Sequence, residues 1–231
     1  MKAAPLACAV LAAAAIQAAP AAVRHVAART RTWTNVATVA PDGGYVLGNP
    51  NAKTRLIEYV SLTCPHCAVF AAAGWPGLEP YIRTGGLALE VRTAVRDRFD
   101  LAATLLARCQ GPQRYFDTAA LIFAHQQEWM AKASAWDATA PDPSTQPPAD
   151  ALIQSAQGAG LDTLLAARGY TPASIRACLS DKAAVAAVTA MASEAWEQRK
   201  IAGTPAFMIN DVAIDVHDWP SLQPFVADAV K

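Results

Sequence analysis

From Arg55 to Ser61 apolar side chains occupy both alternation faces, Leu56 and Val60 on one and Ile57 and Tyr59 on the other. That pattern predicts a central strand buried on both sides. Leu87 to Val95 alternates as a second core strand. Ahead of them Trp33 to Val39 predicts a first strand, with turns at Pro41-Asp42-Gly43-Gly44 and Gly48-Asn49-Pro50-Asn51. Between the two core strands, Ala68 to Ala73 has a helical composition that Gly74 and Pro76 interrupt.

Beyond Val95 the period changes from strand to helix. Asp100 is expected to cap a helix over Leu101, Leu105 and Cys109, stopped by Gly111-Pro112, and a further helix is expected from about Gln113 to Lys132. Residues 137–150, with four prolines among polar residues, read as a loop. Helices resume near Asp150, end at Gly158 to Gly160, and continue from Leu161 to Arg168 with Gly169 as a stop. Thr171-Pro172 restarts a helix as N-cap and first position, and Ser180 is expected to cap a long one to Lys200. Strands follow around Phe207 and Val212 to Ile214, then a helix from about Pro220. The order is strands and helix, an all-helical block, then strands and helix, an α/β class.

Composition narrows the function. With 231 residues, 53% of them hydrophobic, one domain or one domain with an insertion is expected. The 19 basic and 19 acidic side chains cancel, so nothing points to nucleic acid or a charged membrane surface. Met1-Lys2, an apolar run from Ala3 to Ile16, then small residues and Pro20 have the layout of a secretory signal, expected to be removed between Ala18 and Ala22. Its loss would remove Lys2 alone among the charges, leaving 18 against 19, a net of about −1.

The chemistry is concentrated in Cys64-Pro65-His66-Cys67. Two cysteines within one helical turn can form and break a disulfide; the same spacing also supplies half of many zinc sites. Position 68 is Ala, which removes the haem-attachment reading. Zinc would need a second pair, and Cys109, Cys178, His25, His125 and His217 are scattered, so no metal is expected. Cys64, at the predicted helix start, meets unpaired N–H groups that favour a thiolate and is the expected nucleophile. Cys67, one turn in, is the expected resolving thiol. Pro65 removes one donor and fixes the turn, while His66 adds a donor and a partial positive charge at lower pH. Without Cys8, four cysteines remain, and pairing Cys64 with Cys67 leaves Cys109 and Cys178 either as a structural disulfide or as two separate buried thiols.

Glu58-Tyr59-Val60-Ser61-Leu62-Thr63-Cys64-Pro65-His66-Cys67, paired with Gly203-Thr204-Pro205-Ala206-Phe207, resembles the DsbA-like branch of the thioredoxin superfamily, the periplasmic thiol-disulfide oxidoreductases. The resemblance covers roughly residues 45–230. After the signal peptide read at 1–21 and a lead-in with the first strand at 22–44, it implies a thioredoxin fold with an inserted all-helical domain: the thioredoxin-fold domain at 45–98 and 201–231, and the helical insertion at 99–200. It also implies that Thr204-Pro205 is a cis bond facing Cys64, where the Thr204 backbone would pair with an extended substrate. Glu58 stands where the family carries an acid. There it would be half-buried, with a raised pKa, and could relay the Cys67 proton, the alternative being a solvated surface glutamate.

The activity so implied is a monomeric dithiol oxidase without cofactor that donates the Cys64–Cys67 disulfide to exported proteins and is reoxidised by a membrane partner. The oxidases of the family tend to carry Val where this chain has Thr204, a residue commoner in isomerase-like relatives. An isomerase or reductase therefore stays open, as does a non-redox peptide-binding chaperone.

Overall fold

The structure is a computed structural model and describes Met1 and residues 32–231; apart from Met1, the expected signal peptide, with Cys8, lies outside the described residues. Trp33–Asn35 is a 3₁₀ turn, so the first strand, β1 (Ala37–Val39), begins later than the alternation suggests. It pairs antiparallel with β2 (Tyr45–Gly48), Val39 opposite Tyr45, across a turn in which Gly43 takes φ 88°. The strand at Tyr45–Gly48 was not foreseen, because only turn residues flank its short run.

The central strand β3 (Thr54–Val60) is buried at every position except Arg55. From it the chain enters α1 (Pro65–Thr84) and returns as β4 (Leu87–Thr93), parallel to β3 with Glu58 opposite Val91, as a strand–helix–strand crossover requires. All seven residues of β4 are buried. The expected break of α1 at Gly74 and Pro76 does not occur: the helix runs 20 residues through Pro76 and Pro80. Those prolines cannot donate to the carbonyls one turn back. Cys67, Phe70, Leu78 and Ile82 nonetheless bury one continuous face across them, each large side chain contributing roughly 1.5–3 kcal/mol. Gly74 is needed there, since a Cβ would come within 2.5 Å of the Phe70 ring.

The helical block contains α2 (Arg98–Arg108), α3 (Pro112–Ala124), α4 (Gln126–Asp137), α5 (Pro148–Gly158), α6 (Leu161–Ala166), α7 (Pro172–Leu179) and α8 (Lys182–Ser193). Three expectations need correction. Asp97, not Asp100, caps α2, accepting from the N–H groups of Phe99 and Asp100. The helix foreseen from Gln113 to Lys132 is two, divided where His125 leaves helical geometry at φ −105°, ψ 14°. Asp181, not Ser180, caps α8, which passes into a π-helical turn at Glu194–Gln198. In the first and third cases two short polar residues compete for one cap, and the backbone path chooses between them.

The chain then forms β5 (Ala206–Ile209), β6 (Val212–Ile214) and α9 (Trp219–Ala229). The sheet order is β1-β2-β4-β3-β5-β6, with β5 antiparallel to β3 and Glu58 opposite Phe207. One hydrophobic cluster holds Leu56, Val60 and Phe70 together with Tyr115, Trp129 and Leu161 of the helical block, so the block shares its core with the sheet. On the other sheet face Arg92 pairs with Glu90, Asp42 and Glu194, and the Tyr59 hydroxyl donates to Glu194.

Candidate active site

Beyond Val60 the chain turns through Ser61, Leu62 and Thr63, and Cys64 becomes the N-cap of α1 with Pro65 at the first helical position. Pro is suited there, since its missing N–H would have no helical acceptor. Cys64 and Cys67 are both thiols, 3% and 0% exposed. The Cys64 thiol is drawn down to about 5, first by a hydrogen bond from Cys67, then, against the opposing effect of burial, by the Thr204 side chain and the main-chain N–H groups of Cys67 and His66. Cys67 moves the other way, pushed well above its ordinary value by burial and by the neighbouring Cys64 sulfur. The two sulfurs therefore divide into one that ionises readily and one that holds its proton. His66 is exposed, and what it offers Cys64 is its main-chain N–H.

The Thr204–Pro205 bond is cis, and the Cys64 thiol donates to the Thr204 carbonyl at 3.1 Å. His217 Nδ1 lies 3.3 Å from the Pro205 carbonyl oxygen. Glu58 is 0% exposed rather than half-buried, because α1 and the flanking strands cover it completely. Burial raises its pKa to about 8, opposed by the indole N–H of Trp75, which donates to Oε2 at 2.8 Å. Its other oxygen, Oε1, has no hydrogen-bond partner among the described residues.

Three polar residues around the active-site turn were not foreseen. Asp100 accepts from the Ser61 hydroxyl at 2.6 Å and the Leu62 N–H at 2.8 Å, and its pKa rises to about 6 because burial outweighs those bonds. Arg96 donates to the hydroxyls of Ser61 and Thr63, each at 3.0 Å. The Gln126 amide, at the start of α4, donates to the carbonyls of Leu62 at 2.8 Å and Cys64 at 2.9 Å. Nothing in the local pattern marks Gln126, whose partners lie more than sixty positions earlier. A groove of about 600 Å³ runs beside Pro65 between α1 and the α3–α4 junction, lined by Val69, Ala72, Phe123 and His125.

Cys109 and Cys178 are not brought to this site. They are disulfide-bonded within the helical block, Cα atoms 5.7 Å apart, Cys109 exposed at the end of α2 and Cys178 buried in α7. Among the described residues no three His, Cys, Asp or Glu side chains gather to hold a metal, and no helix is long and apolar enough to cross a membrane.

Residues 41–228 match the family model described as thioredoxin, a span that includes both halves of the sheet and the helical block between them. The chain belongs to the thioredoxin family. Its fold is similar to that of a protein-disulfide isomerase from Novosphingobium aromaticivorans, with 32% identity, a TM-score of 0.74, and coverage of 82% of this chain and 98% of that one. It also shares the fold of alpha-DsbA1 from Wolbachia pipientis at 22% identity and a TM-score of 0.66, over 83% of this chain and 93% of that one. A protein of Rickettsia bellii named as a candidate protein-disulfide oxidoreductase is 27% identical over 188 residues. That match takes in 80% of this chain and 64% of the relative, so this chain spans less than two thirds of the relative's length. The thioredoxin fold with a helical insertion thus stands on topology and family alike.

Proposed function

We propose that this protein is a thiol-disulfide oxidoreductase that donates a disulfide from Cys64 and Cys67 to exported proteins. The observation that carries the reading is the opposite displacement of the two thiols, Cys64 down to about 5 and Cys67 well up. In the oxidised protein a substrate thiolate attacks Cys64 Sγ, the Cys64–Cys67 bond breaks, and Cys67 departs and takes a proton that Glu58 can supply. A second substrate thiolate then attacks the substrate sulfur of the mixed disulfide. The substrate bond forms and Cys64 leaves as a thiolate, which its low pKa favours. Pro65 and the main-chain N–H of His66 shape the turn around that thiolate, and Thr204 with Pro205 presents the main chain against which an extended substrate pairs. Because a low Cys64 pKa stabilises the reduced form, it favours the oxidant direction.

The secretory layout of residues 1–21, with the resemblance of Cys64-Pro65-His66-Cys67 and Gly203-Thr204-Pro205 to the periplasmic oxidoreductases, supports a periplasmic location. In that setting the reduced protein would be recharged by a membrane partner, acting as a monomer, with no cofactor or metal and with no nucleic-acid partner. Two observations favour a second reading, a disulfide isomerase or reductase: Thr204 before the proline, and the 32% identity to a protein named as an isomerase. A chaperone without redox turnover is the third reading, and the paired thiols speak against it. Measuring the Cys64–Cys67 reduction potential, together with oxidation of a reduced unfolded substrate, separates them. An oxidising potential with stoichiometric substrate oxidation is expected. A potential near that of thioredoxin, about −270 mV, with no net oxidation would overturn the oxidase reading.

A further inference from the structure

We propose that Trp75 is a positioning residue for the proton step at Cys67, holding one oxygen of Glu58 so that the other is left free to exchange the proton. The inference rests on the oxidoreductase reading above. Trp75 Nε1 donates to Glu58 Oε2 at 2.8 Å, and Glu58 Oε1, fully buried, has no partner among the described residues. With Oε2 already accepting from the indole, Oε1 is the oxygen on which both lone-pair sites are open. An unpaired buried acceptor is also unfavourable enough to call for a role.

The elements that carry these groups fix their relation. Cys67 and Trp75 lie on the same helix, eight positions or about two turns apart, and Glu58 faces that helix from β3. The indole is itself held from outside the sheet domain: its ring meets Phe116 at 5.9 Å and Phe123 at 6.0 Å, both edge-on, on α3. Trp75 is thereby the point at which the inserted helices touch the acid behind the resolving cysteine. The titratable groups around Glu58 are Cys67 on α1 and Tyr115 on α3, and Tyr115 in turn feels Arg108 and Asp100 of α2 and Tyr45 of β2. The Trp75 bond lowers the Glu58 pKa against the larger effect of burial.

In a mixed disulfide between Cys64 and a thiol, the Cys67 proton passes to Glu58 Oε1 and Cys67 Sγ attacks Cys64 Sγ. The Cys64–Cys67 bond forms, the bond to the outside sulfur breaks, and that sulfur leaves as a thiolate.

The experiment follows release of glutathione from the preformed Cys64–glutathione mixed disulfide of the full chain, across pH, for wild type, Trp75→Phe, Glu58→Gln and the double variant. Phe keeps the ring against Phe116 and Phe123 but removes the N–H. The expected result is an acid limb moved upward in Trp75→Phe, with release about tenfold slower below it, the change that a one-unit rise in the controlling pKa brings. In the Glu58→Gln background the same substitution should change nothing. An unshifted profile in a folded Trp75→Phe, or an equal slowing with and without Glu58, would overturn the proposal. If the wild type itself forms the mixed disulfide but never releases glutathione, the oxidoreductase reading fails first, and the two failures are told apart.

Discussion

The Cys64 thiol lies 3.1 Å from the main-chain oxygen of Thr204, a residue 140 positions further along the chain. The contact joins the strand–helix half of the sheet to the half that follows the helical block. It places the Cys64 sulfur against the main chain of a half-buried residue just before the cis proline. Thr204 acts on the sulfur in two senses: its carbonyl accepts from the protonated thiol, and its side chain helps lower the thiol pKa.

Replacing Thr204 by Val keeps the branched shape and removes the hydroxyl. Titration of the reduced protein, read by thiolate ultraviolet absorbance, should show Cys64 moving up from about 5. Cys67→Ala should move it further, since the Cys67 bond is the largest cause of the shift, and His66→Ala should move it least, since His66 contributes a main-chain N–H that alanine retains. An effect of His66→Ala larger than that of Cys67→Ala would mean that the imidazole, not the main chain, governs the thiolate.

The same group links stability to redox state and pH. The fold holds the Cys64 pKa down to about 5 against an ordinary value of 9.0, so the reduced protein is stabilised above pH 9, and that stabilisation is lost as pH falls toward 5. The oxidised protein lacks this titration. Denaturant unfolding of both forms should therefore show the reduced form gaining on the oxidised as pH rises from 5 to 9. A constant difference across that range would contradict the thiolate assignment.

Glu58 has the opposite sign. Its pKa rises from 4.5 to about 8 on folding, so its contribution is fully present below pH 4.5 and is lost as pH rises through 8. Glu58→Gln removes the titration. The variant should match the wild type in acid and exceed it at pH 8 by on the order of a few kcal/mol, measured by chemical denaturation. A variant less stable at every pH would show that the acid's hydrogen bonding matters more than its burial.

The Cys109–Cys178 disulfide joins residues 69 apart. Closing a loop of that length restricts the unfolded chain by roughly 4 kcal/mol in the chain-entropy model. Removing it with the double change Cys109→Ala and Cys178→Ala should lower unfolding stability by up to about that amount while leaving disulfide exchange at Cys64 intact. Because Cys109 is exposed, a reductant reaches this bond more readily than shielding by packing would allow. Loss of exchange in the folded double variant would assign the pair a part in the reaction.

Much of the fold was legible in local pattern. The double-faced apolar run of β3, the alternation of β4 and the small-residue helix after the cysteines are short-range signals, each repeating within a few residues. The limits were equally physical. Asp97 and Asp100 are both plausible caps for α2, and only the path of the chain put Asp97 at the end and drew Asp100 inward to Ser61 and Leu62. Pro76 is a helix breaker by its own geometry, yet α1 continues because the apolar face on both of its sides is buried against one core.

Residue type and spacing put two cysteines at one helix start, an acid six positions before the first, and a Thr-Pro far downstream. All of that is chemistry of residue type and spacing, which survives without coordinates. How those groups act on one another came from the packing of distant segments. That packing sealed Glu58 from water, leaned Trp75 on it from the helix that carries the two cysteines, and carried Gln126 and Thr204 from distant segments to the carbonyl and sulfur of Cys64. Burial and hydrogen bonding displace the two thiols in opposite directions, and both depend on what packs across the chain rather than on what lies next to it in sequence.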